Sequence, residues 1–319
     1  LRKLIIFLMG FSLLYAGVVH ISSDFVEPED DIITYSGNVS AFIDEDNVYL
    51  WASTLTVSKY AGDWRKIKAL GMVSIKTRSM IATSDELNYD LQDKKGILSG
   101  SATVFLTNDN ATVLTDSLDF DLNRDFYASY KRSTMFRKDV VATSNTFTYD
   151  GSVMVLKGDV EAKSGETNLF GDRAVLNLDK DMMNVKGDVR VILEDATITG
   201  RDLIYDMESE GTFTGNVSAE IQGEKSSIKI SSDYLKFNTK RKVYIGWSDE
   251  GKVRIWKGKV YTESKRFKYS KDMAVVELTG GVFIHDIEKD VKMWAERALI
   301  YLNEDKMKAF KVKTEITTK

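Results

Sequence analysis

Two short motifs alternate along this 319-residue chain with a period of about thirty residues, and that periodicity limits the fold more than any other feature. The first is a Gly-x-Val step, found at Gly37-Asn-Val39, Gly71-Met-Val73, Gly158-Asp-Val160, Gly187-Asp-Val189, Gly215-Asn-Val217 and Gly251-Lys-Val253, with variants at Gly100-Ser-Ala102 and Gly280-Gly-Val282. Successive glycines lie 34, 29, 58, 29, 28, 36 and 29 residues apart, so one unit near Ser129 has lost its glycine. The second motif has the form small/acidic-x-Leu-x-Tyr. It reads Asp85-Glu-Leu87-Asn-Tyr89, Asp116-Ser-Leu118-Asp-Phe120, Asn145-Thr-Phe147-Thr-Tyr149, Asp172-Arg-Ala174-Val-Leu176 and Asp233-Tyr-Leu235-Lys-Phe237.

Each motif sits in a strand. Leu156, Gly158, Val160 and Ala162 alternate with Lys157, Asp159, Glu161 and Lys163, and the same holds around Gly215 and Gly280. Alternation with period two buries one face of a strand and solvates the other. A recurring mid-strand glycine predicts a bend or a close backbone approach in every unit. Tyr-Asp steps followed by polar runs such as Gln92-Asp93-Lys94-Lys95-Gly96 predict turns. Half-buried strand pairs cannot cover their apolar face alone and must stack. The expectation is an all-β, elongated antiparallel β-jellyroll or β-solenoid of about nine repeats, continuous over residues 32–319.

The N-terminus carries a second signal. Arg2 and Lys3 precede an apolar run from Leu4 to Ile21, about 27 Å long as a helix. Residues 1–23 therefore read as a signal peptide or membrane-anchor helix. No −3/−1 pair of small residues follows, which favours an uncleaved anchor. Asp24, Glu27, Glu29, Asp30 and Asp31 make residues 24–31 an acidic linker and place the body on the non-cytoplasmic side.

The chemistry of enzymes is sparse. The chain has no cysteine and two histidines, His20 in the leader and His285 on an outward strand position. No phosphate loop, nucleophile elbow or zinc spacing occurs. The recurring Asp85, Asp116, Asp172 and Asp233 are too regular for one active site and fit hydrogen bonding at strand ends. Neither a catalytic residue nor a metal site nor a cofactor is expected. Residues 24–224 carry 20 Lys/Arg against 35 Asp/Glu, whereas residues 225–275 carry 14 against 5. The basic stretch is a solvated face or a docking patch for an acidic partner or anionic headgroups. A net charge of −4 argues against nucleic acid.

The Gly-x-Val strand, the Asp-x-Leu-x-Tyr-Asp strand and their thirty-residue alternation resemble the OstA-like family, which includes the periplasmic lipopolysaccharide-transport proteins LptA and LptC and the N-terminal domain of LptD. The resemblance spans about residues 32–316, with roughly twice the repeats of one LptA-like module. It implies a periplasmic bridge or carrier that shields the acyl chains of lipopolysaccharide or another amphipathic lipid between inner and outer membranes. It further implies end-to-end strand addition to other jellyroll proteins of the envelope, and membrane attachment through residues 4–21 if the leader is retained.

On that reading the lipid groove is lined by Leu98, Ala102, Val104, Leu106, Leu156, Val160, Val189, Val191, Leu193, Phe213, Val217, Ile221, Leu278, Val282 and Ile284. The docking edges are marked by Tyr35 and Val39 at one end and Lys311 and Lys313 at the other. The alternative is a structural or adhesive β-solenoid of the envelope, whose dry core would show the same alternation.

Overall fold

A computed structural model describes residues 18–304 and 306–316. Their regular structure is all strand, in 26 segments from Val19–Ser22 to Lys313–Ile316. Six neighbouring pairs of segments are the two halves of one interrupted strand, so the described residues form twenty bent strands, each antiparallel to the next. Val153–Ser164 shows the unit: its first half pairs with Thr146–Asp150, its second half with Val140–Ser144, and both halves with Thr167–Asn177. Every bent strand thus contributes to two sheets that face one another. At a strand spacing of about 4.8 Å, twenty strands per sheet give a body on the order of 90 Å long.

The bend has a local cause. At Gly158 and Asp159 φ is +75° and +47°, and the same left-handed pair recurs at Gly37/Asn38, Gly71/Met72, Gly100/Ser101, Gly187/Asp188, Gly215/Asn216 and Gly280/Gly281. The register passes from Lys157↔Arg173 to Val160↔Gly171, so two residues oppose one. A bulge of this kind turns the strand through the corner. The left-handed region also explains the second position of the motif: after Gly, the residues that tolerate it best are Asn, Asp and Gly.

Between the sheets lies one continuous apolar cluster running from Val39 to Leu302. Its largest buried side chains include Tyr127, Tyr149, Phe213, Phe237 and Phe267. Burial of this much aromatic and aliphatic area, at about 25 cal/mol per Å², is what stacks units that could not fold alone.

Two departures from the expected layout are informative. Where the glycine near Ser129 is missing, the strand breaks into Phe126–Ser129 and Ser133–Arg137, separated by Tyr130, Lys131 and Arg132. The strand through Gly251 also breaks, into Val243–Trp247 and Val253–Lys257, and Gly251 is not among the left-handed glycines.

The expected N-terminal apolar helix is corrected by the structure. Val19–Ser22 is a strand paired with the second half of Ile32–Ile43, and Phe25–Pro28 pairs with its first half, so no helix runs on to Ile21. Among the described residues no helix is long and apolar enough to cross a membrane. The part of the leader at residues 1–17 lies outside the described residues. The acidic stretch read as a linker contains Asp24, which sits at a strand corner, so Val19–Pro28 is a further copy of the acid-marked strand.

Candidate lipid groove

All fifteen residues expected to line a groove point into the space between the two sheets. Phe213, Val104, Val189, Leu278 and Ile284 are fully buried, and Leu193, the most accessible of the set, is 9% exposed. The two sheets are joined by backbone along the Gly-x corners. Along the opposite edge, the mouth, they meet only through turns, and side chains hold those turns together.

These ties form a seam from one end of the body to the other. Lys94 bonds Glu45 at 3.0 Å and Asp46 at 2.6 Å, and the Tyr89 hydroxyl donates to Asp46 at 3.2 Å. Tyr127 and Ser79 share a hydrogen bond of 2.8 Å, and Tyr149 donates to Asp109. Arg137 donates to Asp181 at 2.5 Å and to Leu178 O at 2.8 Å, with Lys138 on the same carboxylate. Farther on, Tyr244 donates to Asp195 at 2.7 Å, Lys271 pairs with Glu194 at 2.7 Å, and Ser226 donates to Leu302 O at 2.8 Å.

Electrostatics follow from this geometry. Burial, reinforced by the Asp46 and Asp195 carboxylates, pushes the hydroxyls of Tyr89 and Tyr244 well above the usual tyrosine range, so they remain donors. Hydrogen bonds from Lys138 and Arg137 hold Asp181 below the usual carboxylate range, and Lys271 does the same for Glu194. The seam tyrosines went unassigned in the sequence reading. Two of them carried a signal, the Tyr-Asp steps Tyr89-Asp90 and Tyr149-Asp150, whereas Tyr127 and Tyr244 are followed by Ala128 and Ile245.

Hollows open at more than one place along this row: one of about 330 Å³ lies between Glu45 and Asp46 on one lip and Asp63, Arg65 and Gln92 on the other. Tyr205, Glu208, Thr239, Lys240 and Lys242 on one lip face Glu166, Thr167 and Asp195 on the other across a hollow of about 290 Å³. Beneath it, Val140, Ala162, Leu169, Met183 and Met207 surround a residual space of about 10 Å³. Ser164, Thr167 and Tyr205 line both spaces. A separate cleft of about 740 Å³ lies on the outer side of one sheet, over Lys68, Asn88, Ile97 and Asp119.

The marked edge residues sort differently. Val39 is buried in the core, and Tyr35 lies in a strand paired on both sides, because Phe25–Pro28 covers it. Lys311 pairs with Glu296 at 2.8 Å, while Lys313 lies in the last described strand, opposite Trp294. The basic residues of 225–275 form no single patch. Lys236 and Lys268 face out from one sheet, Lys229 and Arg254 from the other, and Lys240 and Lys271 lie at the mouth. His285 lies beside Phe283 on an outer face, 3.6 Å from Asp290. Among the described residues no group of three or more His, Asp or Glu is placed to hold a metal.

Residues 20–126 match the family model described as "LptA/(LptD N-terminal domain) LPS transport protein". No curated protein matches the chain. Among solved structures, it is similar to LptH of Pseudomonas aeruginosa, described as the LptA homologous periplasmic component of the lipopolysaccharide transport device. The identity is 14% and the TM-score 0.33, over 36% of this chain and 82% of that one. Over residues 20–126, about a third of the chain, the protein is thus similar to the LptA-like lipopolysaccharide-transport proteins that this family model describes.

Proposed function

We propose that the chain carries lipopolysaccharide with its acyl chains held between the two sheets and its headgroup outside the mouth. The single observation behind this reading is the construction of the interior. It is apolar and continuous along the whole body. It is enclosed covalently along the corner edge, but only by side-chain ties along the mouth. Parting the mouth would expose a strip of apolar surface able to take up chains without cofactor or covalent step, driven by the same transfer of apolar area that closes it. The work is that of a carrier rather than an enzyme.

The test is photo-crosslinking in cells. A crosslinking residue at Val160, Val189 or Val217 is expected to capture lipopolysaccharide, and one at the exposed Asp159, Arg190 or Asn216 is not. Equal labelling of both sets, or of neither, would count against an interior path.

A second reading, a spacer of the envelope with a permanently dry core, is favoured by one observation: the space beneath the hollow at Tyr205 holds only about 10 Å³. It predicts that the interior positions never capture lipid while the protein is nonetheless required for envelope integrity.

End-to-end addition of another jellyroll belongs to the same proposal. Phe25–Pro28 and Lys306–Phe310 each pair on one side only among the described residues. Unpaired backbone groups of that kind recruit a further strand.

A further inference from the structure

We propose that a second copy of this chain packs on the outer face of one sheet, the one that contains Val19–Ser22, Ser133–Arg137 and Val140–Ser144. The second copy is turned half a revolution about the long axis of the body, so that the two run in the same direction. The pairing is independent of the carrier reading above, because it uses neither the interior nor the mouth.

Nine strands, from Val19–Ser22 to Val140–Ser144, each turn two side chains outward on this sheet. Lys76 is the one charged side chain among them, and His20 is held by Asp44 at 3.0 Å. The chain as a whole is 29% charged, and its other outer surfaces follow suit. The facing sheet, over the same strands, turns out Lys66, Lys68, Glu86, Lys95 and Asp119. Farther along the same sheet come Lys163, Arg190, Glu220, Lys229, Arg254 and Glu263. The uncharged region instead presents Tyr49, Trp51, Ile81, Leu114, Phe136 and Val141, each between 38% and 43% exposed. Contiguous exposed apolar area marks an interaction surface, and aromatic residues with few charges are the composition of an interface core.

Charge, size and shape together point to another copy as the occupant. A face of one sign repels its own copy, whereas this one meets itself with no like charges but Lys76. Two outward residues on each of nine strands approach the roughly 20–30 residues per side of a standard interface. On every strand but one, a large side chain is paired with Ser or Thr, as Phe42 is with Ser40, Ile81 with Thr83 and Phe136 with Thr134. The exception is Tyr49 with Trp51, whose rings stack 6.2 Å apart. A half turn about the long axis lays each large side chain of one copy over the Ser or Thr of the same strand in the other. The two sheets then interdigitate at the usual separation of about 10 Å. The hollow of about 340 Å³ bounded by Ser22, Ser40 and Trp51 lies where the Phe42 ring of the other copy would sit. The mouth and both end strands stay free.

Sedimentation of the full chain is expected to show a dimer at micromolar concentration. Ile81→Glu with Phe136→Glu is expected to weaken that dimer at least a hundredfold and leave the urea midpoint unchanged, because both side chains face outward. Ile97→Glu, at a position 43% exposed on the other outer face, is expected to leave the dimer intact. The chain has no cysteine, so single thiols report the arrangement. Oxidising a mixture of Ile81→Cys and Thr83→Cys chains is expected to join unlike chains in preference to like ones. A copy turned end for end would join like with like, and that result overturns the proposed arrangement. A chain that stays monomeric up to about 100 μM, where even a weak interface of this size associates, overturns the pairing altogether. So does a dimer that survives both glutamates. A monomer that floats with phosphatidylglycerol vesicles, and ceases to with Ile81→Glu and Phe136→Glu, also overturns it and assigns the face to a lipid surface.

Discussion

The backbone N–H of Asp24 donates to the carbonyl of Gly37 at 2.9 Å, and a Cβ on Gly37 would lie 2.6 Å from Oδ2 of the same aspartate. Asn38, the next residue, donates from its side chain to that Oδ2 at 2.8 Å. Gly158 repeats the arrangement: its carbonyl accepts from the N–H of Asn145, and Asn145 also donates to Asp159 at 2.8 Å. Asp85 lies against Gly100 and Asp172 against Gly187 in the same way. The two alternating motifs are therefore the two halves of one joint. Glycine supplies the left-handed corner, and a residue on the neighbouring strand fills the space that a side chain would have taken: a small or acidic one at most corners, but Arg201 at Gly215 and Lys265 at Gly280.

Gly187→Ala is expected to destabilise the protein by about 2–3 kcal/mol, combining left-handed strain with the clash against Asp172. Asp172→Gly in the same molecule should recover part of that loss, because it reopens the space. Urea denaturation of the two single variants and the double variant measures the coupling. Strict additivity would show that the contact across the corner is not what excludes a side chain.

The stack, its period and its inward face were legible because a two-residue bulge opposite one residue preserves the parity of the strand. Leu156 and Val160 both face inward, so the alternation reads straight through Gly158 and conceals the corner. The acid-marked strand at Val19–Pro28 was hidden for a different reason. Asp24 is followed by Phe25-Val26 rather than Leu-x-Tyr, and the apolar residues before it continue the leader, so hydropathy alone merges them into one helix. Which residues meet across the mouth was not legible, even where a Tyr-Asp step marked one of the partners. Its ties join residues about 40 to 79 positions apart, a separation that depends on how the turns of the two sheets are offset.

Asp90 anchors one of the turns at the mouth and makes it sensitive to acid. Burial opposes its charge, but the N–H of Asp93 together with Lys66 and Arg65 holds it down at about 2. A carboxylate depressed in the folded state contributes stability that is fully present above its unfolded pKa, about 3.9, and is lost as pH falls through 2. Asp90→Asn is expected to cost on the order of 2 kcal/mol at neutral pH. It should also flatten the loss of stability between about pH 4 and pH 2. Urea midpoints measured across that range test both points, and an unchanged acid limb in the variant would refute the assignment.

Tyr244→Phe tests whether the seam holds the mouth shut. The substitution removes the bond to Oδ1 of Asp195, whose other oxygen is buried without a hydrogen bond and lies 4.0 Å from Lys271. Leaving a buried acceptor short of its donor is expected to cost about 1–3 kcal/mol. Hydrogen exchange should quicken in the turns at residues 193–195 and 239–242 before it does at the Gly-x corners. A loss below about 0.5 kcal/mol with uniform exchange would mean that packing alone closes the mouth.

The final prediction concerns the C-terminal edge. Lys306–Phe310 and Lys313–Ile316 pair on one side only among the described residues, and Lys306, Lys308, Lys311 and Lys313 cluster there. Lysines on an open edge discourage indiscriminate pairing. The same charges also select an acidic partner strand, with effects mainly on encounter rate and salt dependence. The two roles separate by substitution. Lys311 already pairs with Glu296, so reversing its charge would disturb the edge itself. Lys308 and Lys313 are the better positions, because the N–H groups of their strands stay in place when the side chains change. Lys308→Glu with Lys313→Glu is expected to abolish binding of an LptA-like module whose first strand is acidic, with the urea midpoint unchanged. Binding that survives the substitution, or that shows no weakening at high salt in the unsubstituted chain, would leave the lysines a purely protective role.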